Sequence, residues 1–317
     1  MKYNLEESLT FLGNEFNKLE WKYRDVISGS ETEKMQLWPS DPEEDIMLCV
    51  YKGTDIHELF HRQDYFFFNY AYHGDFGALS YRFDNQITIH EGECYISQPF
   101  AGYALRCHQQ KEIIIIGILI QKERFFKTFL PVLSANATLF HFFLDPNTNA
   151  FSDEYIHLSF EDSSAVRSLL EMMAIEYANK RPDSSNILSS LTLALLMQVA
   201  RQYADSNPTP VSDKLSDQII QYMWEHSDVV TLKEIAAHFS YHPNYISALL
   251  HKESGRTFSE LLLEKRMERA IPLLKGTTLS IEEIAVMLGY NNSSNFYRTF
   301  KEYYGQSPRD YLTQTNK

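Results

Sequence analysis

Residues 279–312 read LSIEEIAVMLGYNNSSNFYRTFKEYYGQSPRDYL, and residues 231–262 read TLKEIAAHFSYHPNYISALLHKESGRTFSELL. The two stretches match each other at a spacing of 49 or 50 residues. The matched pairs are Ile235 and Ile284, Ala236 and Ala285, Phe239 and Leu288, Tyr241 and Tyr290, Ile246 and Phe296, Leu250 and Phe300, and Gly255 and Gly305. Each copy predicts a helix, a short turn and a second helix that ends at a glycine, where a left-handed cap is needed.

The residue types in each copy suit a helix-turn-helix. Small Ala236 and Ala285 are expected where two helices cross closely, and Ser240 and Gly289 are expected in turns that often need a positive φ. The residues expected to face inward are Ile246, Leu249 and Leu250 in the first copy and Phe296 and Phe300 in the second. The remaining outer face of each second helix is polar and suits entry into a DNA major groove. A helix from Phe258 to about Lys275 is expected to join the copies.

This duplicated pattern, from about Leu215 to Leu312, resembles the double helix-turn-helix domain of the AraC/XylS family of bacterial transcription regulators. The resemblance covers about a third of the chain. It implies binding to double-stranded promoter DNA. Many members of the family also carry an N-terminal cupin-like β-barrel that binds an effector, followed by helices that dimerise. The resemblance therefore implies a small-molecule effector and a homodimer, with RNA polymerase as a further partner if the protein is an activator.

The family's DNA contacts can be carried over by position. In the first copy they imply Asn244, Ser247 and Ala248 as base-facing residues, with Lys252 added to the DNA-binding set. In the second copy they imply Ser293, Ser294, Asn295, Tyr297 and Arg298, with Lys301 near a phosphate. The sequence departs from the family at Ala248, where a long polar or basic side chain is common. Alanine leaves only an apolar contact with a thymine methyl, or no base reading, at that position.

The charge of the whole chain argues against nucleic acid, but its distribution does not. The 317 residues carry a formal charge of −13, with 44% hydrophobic and 22% charged residues, as in globular proteins. Residues 1–211 carry −12 (17 basic, 29 acidic), whereas the stretch from Ser240 onward carries +2 (10 basic, 8 acidic). A mildly basic module on an acidic body is compatible with local phosphate contacts.

The rest of the chain divides by its hydrophobic pattern. A helical stripe is predicted between Asn4 and Tyr23, and an acidic loop between Ser28 and Asp45. Short β-favouring runs between Ile46 and Gln121 predict a small antiparallel barrel or sandwich, with QQK at residues 109–111 as one of its turns. Two helices joined by RPDSS follow, and SNPTPVSD is the predicted linker.

The predicted fold is therefore α+β and multidomain. It combines an N-terminal cupin-like antiparallel β-barrel with flanking helices and an all-α C-terminal domain with two helix-turn-helix motifs. The predicted segments are an N-terminal helix and acidic loop (1–45), the effector-binding barrel (46–160), a dimerising helical hairpin (161–205), a linker (206–213) and the DNA-binding domain (214–317).

The barrel segment is rich in aromatic residues, which fill cores and also line ligand cavities. The effector-binding candidates are His61, Tyr65, Phe67, Tyr81, Tyr103 and Arg106. Because strands send only alternate residues inward, the sequence does not decide which of them face a cavity. A sugar that stacks on tyrosine or phenylalanine is one expected effector class, and a fatty acid is its main competitor. A barrel that has lost its ligand and only dimerises is the alternative.

An enzyme is the second alternative, because residues 57–61 read HELFH and match the zincin HExxH pattern. That chemistry needs a helix, whereas the flanking sequence favours strands. The histidine cluster of metal-binding cupins is also incomplete, with Tyr103 about where a histidine would be expected. We find no GxGxxG, Walker or GxSxG motif, so the sequence predicts no catalytic residues, metal or cofactor. The N-terminus lacks a signal-peptide layout and no apolar run is long enough to span a bilayer, so a cytoplasmic protein without membrane contact is expected.

Overall fold

The computed structural model describes residues 2–25, 34–80, 85–97, 101–133, 143, 155–160, 165–206, 214–277 and 279–315. The chain forms two compact units, one of Met1–Phe129 with Asn149–Ser206 and one of Leu130–Thr148 with Asn207–Lys317. The first unit contains a nearly closed antiparallel β-barrel and the second contains the C-terminal helices, which confirms the predicted fold class. The five predicted segment boundaries are finer than this division and stay predictions. Residues 207–213 of the predicted linker lie outside the described residues.

The first unit is built around one long central strand, β9. Its strands are β1 (Tyr23–Asp25), β2 (Lys34–Gln36), β3 (Ile46–His57), β4 (Arg62–Gln63), β5 (Phe66–His73), β6 (Phe76–Ser80), β7 (Asn85–Ile89), β8 (Glu93–Ser97), β9 (Tyr103–Ile120) and β10 (Tyr155–Ser159). The main sheet runs in the order β10-β8-β5-β9-β6-β7, with β3 paired to β9. Strand β2 pairs antiparallel with β1 and parallel with β4.

The turn expected at residues 109–111 is wrong, because Tyr103–Ile120 is continuous strand. Strand β3 stays paired with β9 on both sides of a register shift between Gly53 and Asp55. On its other edge β9 pairs first with β6 and then with β5. The pairing with β3 resumes on each side of the polar residues, at His108 and at Ile113, so the chain stays extended across them.

Alternate residues of β9 face the barrel interior, as strand geometry requires. Those in the interior core are Tyr103, Leu105, Cys107, Ile113, Ile115 and Leu119. Residues Ile116, Ile118 and Ile120, on the opposite face, are also buried. The run IIIIGILI is therefore buried on both sides of the sheet, which explains why it does not alternate with polar residues.

The helices before the linker begin with α1 (Leu5–Phe16), shorter than the predicted stripe. They continue with α2 (Lys122–Arg124), a π-helical turn (Phe125–Phe129), α3 (Leu130–Leu133), α4 (Ala165–Ala178) and α5 (Ser184–Ser206). Helix α1 starts with a capping box between Asn4 and Glu7. Beyond its end, Leu19 and Trp21 still pack on the barrel core. Helices α4 and α5 form the predicted hairpin, and α1, α4 and α5 all contact β3.

The C-terminal helices confirm the two predicted helix-turn-helix copies and the helix that joins them. They are α6 (Leu215–Glu225), α7 (Leu232–His238), α8 (Pro243–Ser254), α9 (Phe258–Gly276), α10 (Ile281–Met287), α11 (Ser293–Tyr304) and α12 (Pro308–Thr315). Helices α7, α9 and α10 each start with a capping box. Gly255 and Gly305 end α8 and α11 with φ of 73° and 77°, as expected for left-handed caps.

The inward positions predicted for this domain are buried. Ile246, Leu250, Phe296 and Phe300 are 0% exposed, and Leu249 is half-buried. Small Ala236 and Ala285 are also buried, which fits their place at a close helix crossing. Among the helices that the structure describes, none is both long and apolar enough to cross a membrane.

Candidate nucleic-acid interface and barrel cavity

Helix α11 presents the polar face of the second copy. Its N-terminus is capped by Asn292, whose Oδ1 accepts a hydrogen bond of 2.9 Å from the Asn295 backbone N–H. Ser294, Asn295, Arg298 and Lys301 are exposed on the side opposite the buried phenylalanines. These four residues, of the six predicted in this copy, form one solvent-facing polar surface that suits a major groove.

The other two predicted residues of the second copy are less accessible. Ser293 and Tyr297 are half-buried. The Tyr297 hydroxyl is buried without a hydrogen-bond partner, and its ring lies 6.0 Å from the Arg309 guanidinium. The structure therefore does not bring the Tyr297 hydroxyl to the surface with Arg298, and base contact by Tyr297 stays a prediction.

Helix α8 presents the corresponding face of the first copy. It is capped by His242, whose Nδ1 accepts a hydrogen bond of 3.2 Å from the Asn244 N–H. Asn244, Ala248 and Lys252 are exposed, and Ser247 is half-buried. The face is mostly small or neutral, so it offers fewer long hydrogen-bonding side chains than α11.

An exposed tyrosine pair on this face was missed by the sequence analysis. Tyr241 and Tyr245 are 46% and 48% exposed, and their rings stack with centroids 4.9 Å apart. The sequence repeat predicts this position, because aligning Ile246 with Phe296 also aligns Tyr245 with Asn295. Asn295 is one of the residues predicted to contact DNA. Tyr245 therefore joins the candidate surface of the first copy.

The barrel interior contains a small cavity of about 40 Å³. Its lining includes Phe67 and Tyr103, whose rings stack at 4.2 Å, and the polar side chains of Gln36, Glu58 and Asn69. Pockets for small organic ligands usually measure ~300–1,000 Å³. The aromatic side chains thus fill the barrel in this conformation, and a ligand of sugar size needs side chains to move.

The five effector candidates that the structure describes fall into three groups. Tyr65, Phe67 and Tyr103 belong to the buried barrel core. His61 is buried beside it, with its ring 4.7 Å from that of Tyr103. Arg106 lies on the other face of β9, where its guanidinium donates to the Glu58 and Leu105 carbonyls. Tyr81 lies outside the described residues.

The HExxH residues are not on a helix. His57 ends strand β3 and is exposed, whereas His61 lies in an extended bridge to Tyr103. Burial lowers the pKa of His61 to about 4, so its imidazole is neutral at physiological pH. Its Nδ1 lies 2.7 Å from the Leu59 carbonyl, which assigns the proton to Nδ1 and leaves Nε2 buried without a partner.

Glu58 is the carboxylate of the cavity, a place that the sequence analysis did not assign to it. Its Oε2 accepts a hydrogen bond of 3.0 Å from the Leu105 N–H. Burial raises the pKa of this carboxyl to about 7, and the Leu105 N–H and the Arg106 charge offset only part of the shift. The barrel therefore holds an acid that is partly protonated at neutral pH.

The raised pKa predicts that the contribution of Glu58 to barrel stability falls as the pH rises from 4.5, the usual glutamate value, to about 7. Over this interval the folded chain retains a proton that the unfolded chain releases, so rising pH favours the unfolded state. Glu58→Gln keeps an acceptor for the Leu105 N–H and removes the titration. We expect its free energy of unfolding to increase relative to wild type between pH 5 and pH 8 in urea titrations followed by tryptophan fluorescence.

The lowered pKa of His61 makes the free energy of unfolding depend on pH in the opposite direction. His61 is present in both wild type and Glu58→Gln, so its contribution cancels when the two free energies are subtracted. Exposed Glu123→Gln is the matched control, and its difference from wild type should not change with pH. If the difference in free energy of unfolding between Glu58→Gln and wild type is also independent of pH, Glu58 does not have a raised pKa in the folded protein.

Two larger clefts of about 490 and 370 Å³ lie in the first unit and share Glu44 and Lys180 in their walls. The Glu44 carboxylate accepts from the Tyr177 hydroxyl at 2.8 Å and pairs with the Lys180 ammonium. The larger cleft is lined by both acidic and basic side chains, among them Asp45, Arg124 and Arg181. Within the described residues no group of three or more potential metal ligands occurs.

Comparison with known proteins connects the C-terminal helices to regulators. A family model described as a helix-turn-helix domain matches residues 235–314. YtdP of Bacillus subtilis, an HTH-type transcriptional regulator, is 34% identical over 42% of this chain and 17% of its own length. The melibiose operon regulatory protein of Escherichia coli is 30% identical over 30% of this chain and 32% of its own length.

A solved structure is similar to about a third of the chain. The C-terminal domain of AraT, a response regulator from Geobacillus stearothermophilus, is 35% identical and covers 33% of this chain and 88% of its own. The TM-score is 0.31. The residues that the family model matches contain both recognition helices described above. The part of the chain that contains the two helix-turn-helix copies is thus similar to a domain found in HTH-type transcriptional regulators.

Within this chain, the two helix-turn-helix copies present unequal surfaces. The second copy exposes Arg298 and Lys301, whereas the corresponding positions of the first copy carry Ala248 and His251. An arginine can donate two parallel hydrogen bonds to a guanine, and alanine cannot donate any. The second copy therefore has the greater capacity for base-specific contacts.

Proposed function

We propose that this protein is a sequence-specific DNA-binding transcription regulator that acts in the bacterial cytoplasm. The observation that carries the proposal is the duplicated helix-turn-helix, in which α8 and α11 both expose a polar face over a buried core. Two such helices on one chain suit successive major-groove faces, which lie about 34 Å apart. One chain then reads a site of about 16–20 base pairs without two-fold symmetry.

Selection from random DNA duplexes with the segment 207–317 tests this proposal. We expect enrichment of one asymmetric sequence with two short conserved blocks separated by about one helical turn. Binding of the selected duplex should fall steeply with salt, since phosphate contacts release counterions. Failure to enrich any sequence, or a symmetric site bound by one segment, would contradict the proposal.

We propose that the full chain is a homodimer formed through the helical hairpin. Ile187 and Met197, nearly three turns apart on α5, are 39% and 44% exposed, and Met172 on α4 is 47% exposed. Exposed apolar side chains on one helical hairpin favour a symmetric self-contact.

We expect the double variant Ile187→Glu, Met197→Glu to be monomeric at tens of micromolar, where wild type sediments as a dimer, because buried unpaired carboxylates oppose association. Val229→Glu is the matched control, since Val229 is 66% exposed in the other unit. A monomeric wild type, or a variant that still dimerises, would show that this surface is not the interface.

We propose that the barrel binds a small organic effector, with carbohydrates as the first class to test. The support is the aromatic lining, Phe67 and Tyr103, beside the polar Glu58 and Asn69. Since the cavity is small in this conformation, a ligand must select a more open state of the barrel, and that difference is what can switch DNA binding.

One sugar of a metabolite panel is expected to raise the melting temperature of the full chain and to change its affinity for the selected operator. Tyr103→Ala should abolish both effects of that sugar. If only fatty acids shift the melting temperature, the carbohydrate proposal is wrong. If no compound does, the alternative of a barrel that only dimerises is favoured.

A further inference from the structure

The two helix-turn-helix copies differ at one turn residue in a way that the repeat alone does not explain. Ser240 in the first copy and Gly289 in the second occupy equivalent turn positions, with φ of 59° and 79°. A serine thus adopts the left-handed backbone in the first copy, where it is exposed. The positive φ alone therefore does not account for glycine in the second copy.

The surroundings of Gly289 supply the reason. A Cβ atom at this position would lie 1.9 Å from the Asp228 carbonyl oxygen and 2.6 Å from an Nη of Arg266. Asp228 belongs to the turn between α6 and α7, immediately before the first copy begins. The turn of the second copy thus packs directly against the backbone that leads into the first copy.

Two arginines of the connecting helix α9 fix the same turn. Arg266 donates from Nε to the Ser227 carbonyl at 2.8 Å and from Nη2 to the Asp228 carbonyl at 3.3 Å. Arg269, which is 3% exposed, donates from Nη1 to the Ser227 hydroxyl at 2.6 Å. The Arg266 guanidinium also lies 5.3 Å from the ring centroid of Tyr290, the residue after Gly289.

We propose that Ser227, Asp228, Arg266, Arg269 and Gly289 form a clamp that fixes the orientation of the two recognition helices relative to each other. Without it, the two copies would be joined chiefly by α9, and each copy has its own buried core that keeps it folded. Charge-assisted hydrogen bonds to the Ser227 and Asp228 oxygens are strong and directional, so they restrict motion at this junction. These five residues are positioning residues and are not expected to touch DNA.

The consequence for DNA binding rests on the proposed function. Two recognition helices at a fixed separation accept only one spacing between their two base-pair blocks, because the grooves rotate with every added base pair. A chain with a loosened clamp should accept several spacings and bind the best one more weakly, since ordering the two copies then costs entropy on binding. Contacts within each block should not change.

The first test measures the clamp without DNA. Spin labels on exposed Glu253→Cys and Glu302→Cys, on α8 and α11, report the distance between the recognition helices in the full chain, and the native cysteines are buried. We expect a narrow distance distribution for the parent protein and a broadened one in Gly289→Ser and Ser227→Ala. The matched control is Ser240→Gly, at the equivalent turn of the first copy, and it should leave the distribution narrow.

If Gly289→Ser does not fold, Ser227→Ala still tests the clamp. Ser227→Ala removes only the hydroxyl that accepts a hydrogen bond from Arg269. Distributions as narrow in the clamp variants as in the parent protein would overturn the proposal. This result is independent of whether the protein selects an operator, so the clamp and the proposed function fail separately.

The second test varies the spacing of the selected operator by one or two base pairs. For wild type we expect a loss of roughly tenfold or more in affinity for each altered spacing, about 1.4 kcal/mol per factor of ten. Ser227→Ala should bind the original spacing roughly tenfold more weakly and show a flatter dependence on spacing. An unchanged dependence, or an equal loss on a duplex that carries only one block, would show that these residues serve only the stability of the fold.

Discussion

Phe296→Ala is expected to destabilise the second helix-turn-helix by about 3–5 kcal/mol, the usual range for removing a fully buried phenylalanine. Phe296 is 0% exposed, and its ring lies 5.4 Å from that of Tyr290 and 5.6 Å from that of Phe300. The truncation leaves a cavity between α10 and α11 that rigid helices cannot close. Because a domain of this size is stable by only ~5–15 kcal/mol, this loss removes a large share of its stability.

Urea titration followed by circular dichroism checks this prediction in the full chain. Glu302→Ala is the matched control, because Glu302 lies exposed on the same helix and should change stability by less than about 0.5 kcal/mol. A Phe296→Ala variant within 1 kcal/mol of wild type would mean that the core of the second copy does not depend on this ring.

The sequence predicted the C-terminal domain nearly to the residue, for a physical reason. Helices are governed by local patterns, and α7, α9 and α10 each carry both residues of a capping box. The duplication then constrained the assignment, since two copies had to form the same motif. The sequence did not reveal that Gly289 packs on Asp228, because these residues are far apart in the chain.

The sequence predicted an antiparallel barrel but not the limits and pairing of several of its strands. The apparent turn at residues 109–111 is part of β9, because pairing with β3 on each side, at His108 and at Ile113, outweighs the local turn preference. Strand β2 lies inside the stretch expected to be loop, and its parallel partner β4 is only two residues long. Pairing between short distant segments leaves almost no periodic signal in a sequence.

The candidate sites show the same difference between residues on helices, which local patterns predict, and residues in the barrel, which depend on distant pairing. Exposed polar positions of α11 follow from helical periodicity once Phe296 and Phe300 are placed inside. The cavity carboxylate Glu58 was considered only as part of HExxH, because its burial depends on how the chain turns after β3. Arg106 was grouped with Tyr103, although an odd spacing along a strand sends the two side chains to opposite faces.

Arg298→Ala is expected to weaken binding to the selected operator by ~1–3 kcal/mol and to relax the preference at one base pair. Arg298 is exposed on α11, and its Nη2 lies 3.5 Å from the Asn295 Oδ1. A hydrogen bond this long is weak, so the guanidinium can leave it to bind a guanine. The affected base should be a guanine, whose O6 and N7 accept both arms of the guanidinium. Competition binding with single-base variants of the operator measures the loss and locates the base.

Two further variants separate base reading from charge. Arg298→Lys keeps the positive charge but loses the two-pronged geometry, so it should lose the preference for that base while retaining most of the salt dependence. Lys301→Ala should weaken all sequences alike and lower the salt slope by about one, because a phosphate contact carries no sequence information. If Arg298→Ala also weakens all sequences alike, Arg298 contacts the backbone, and specificity in the second copy must come from Ser294 and Asn295.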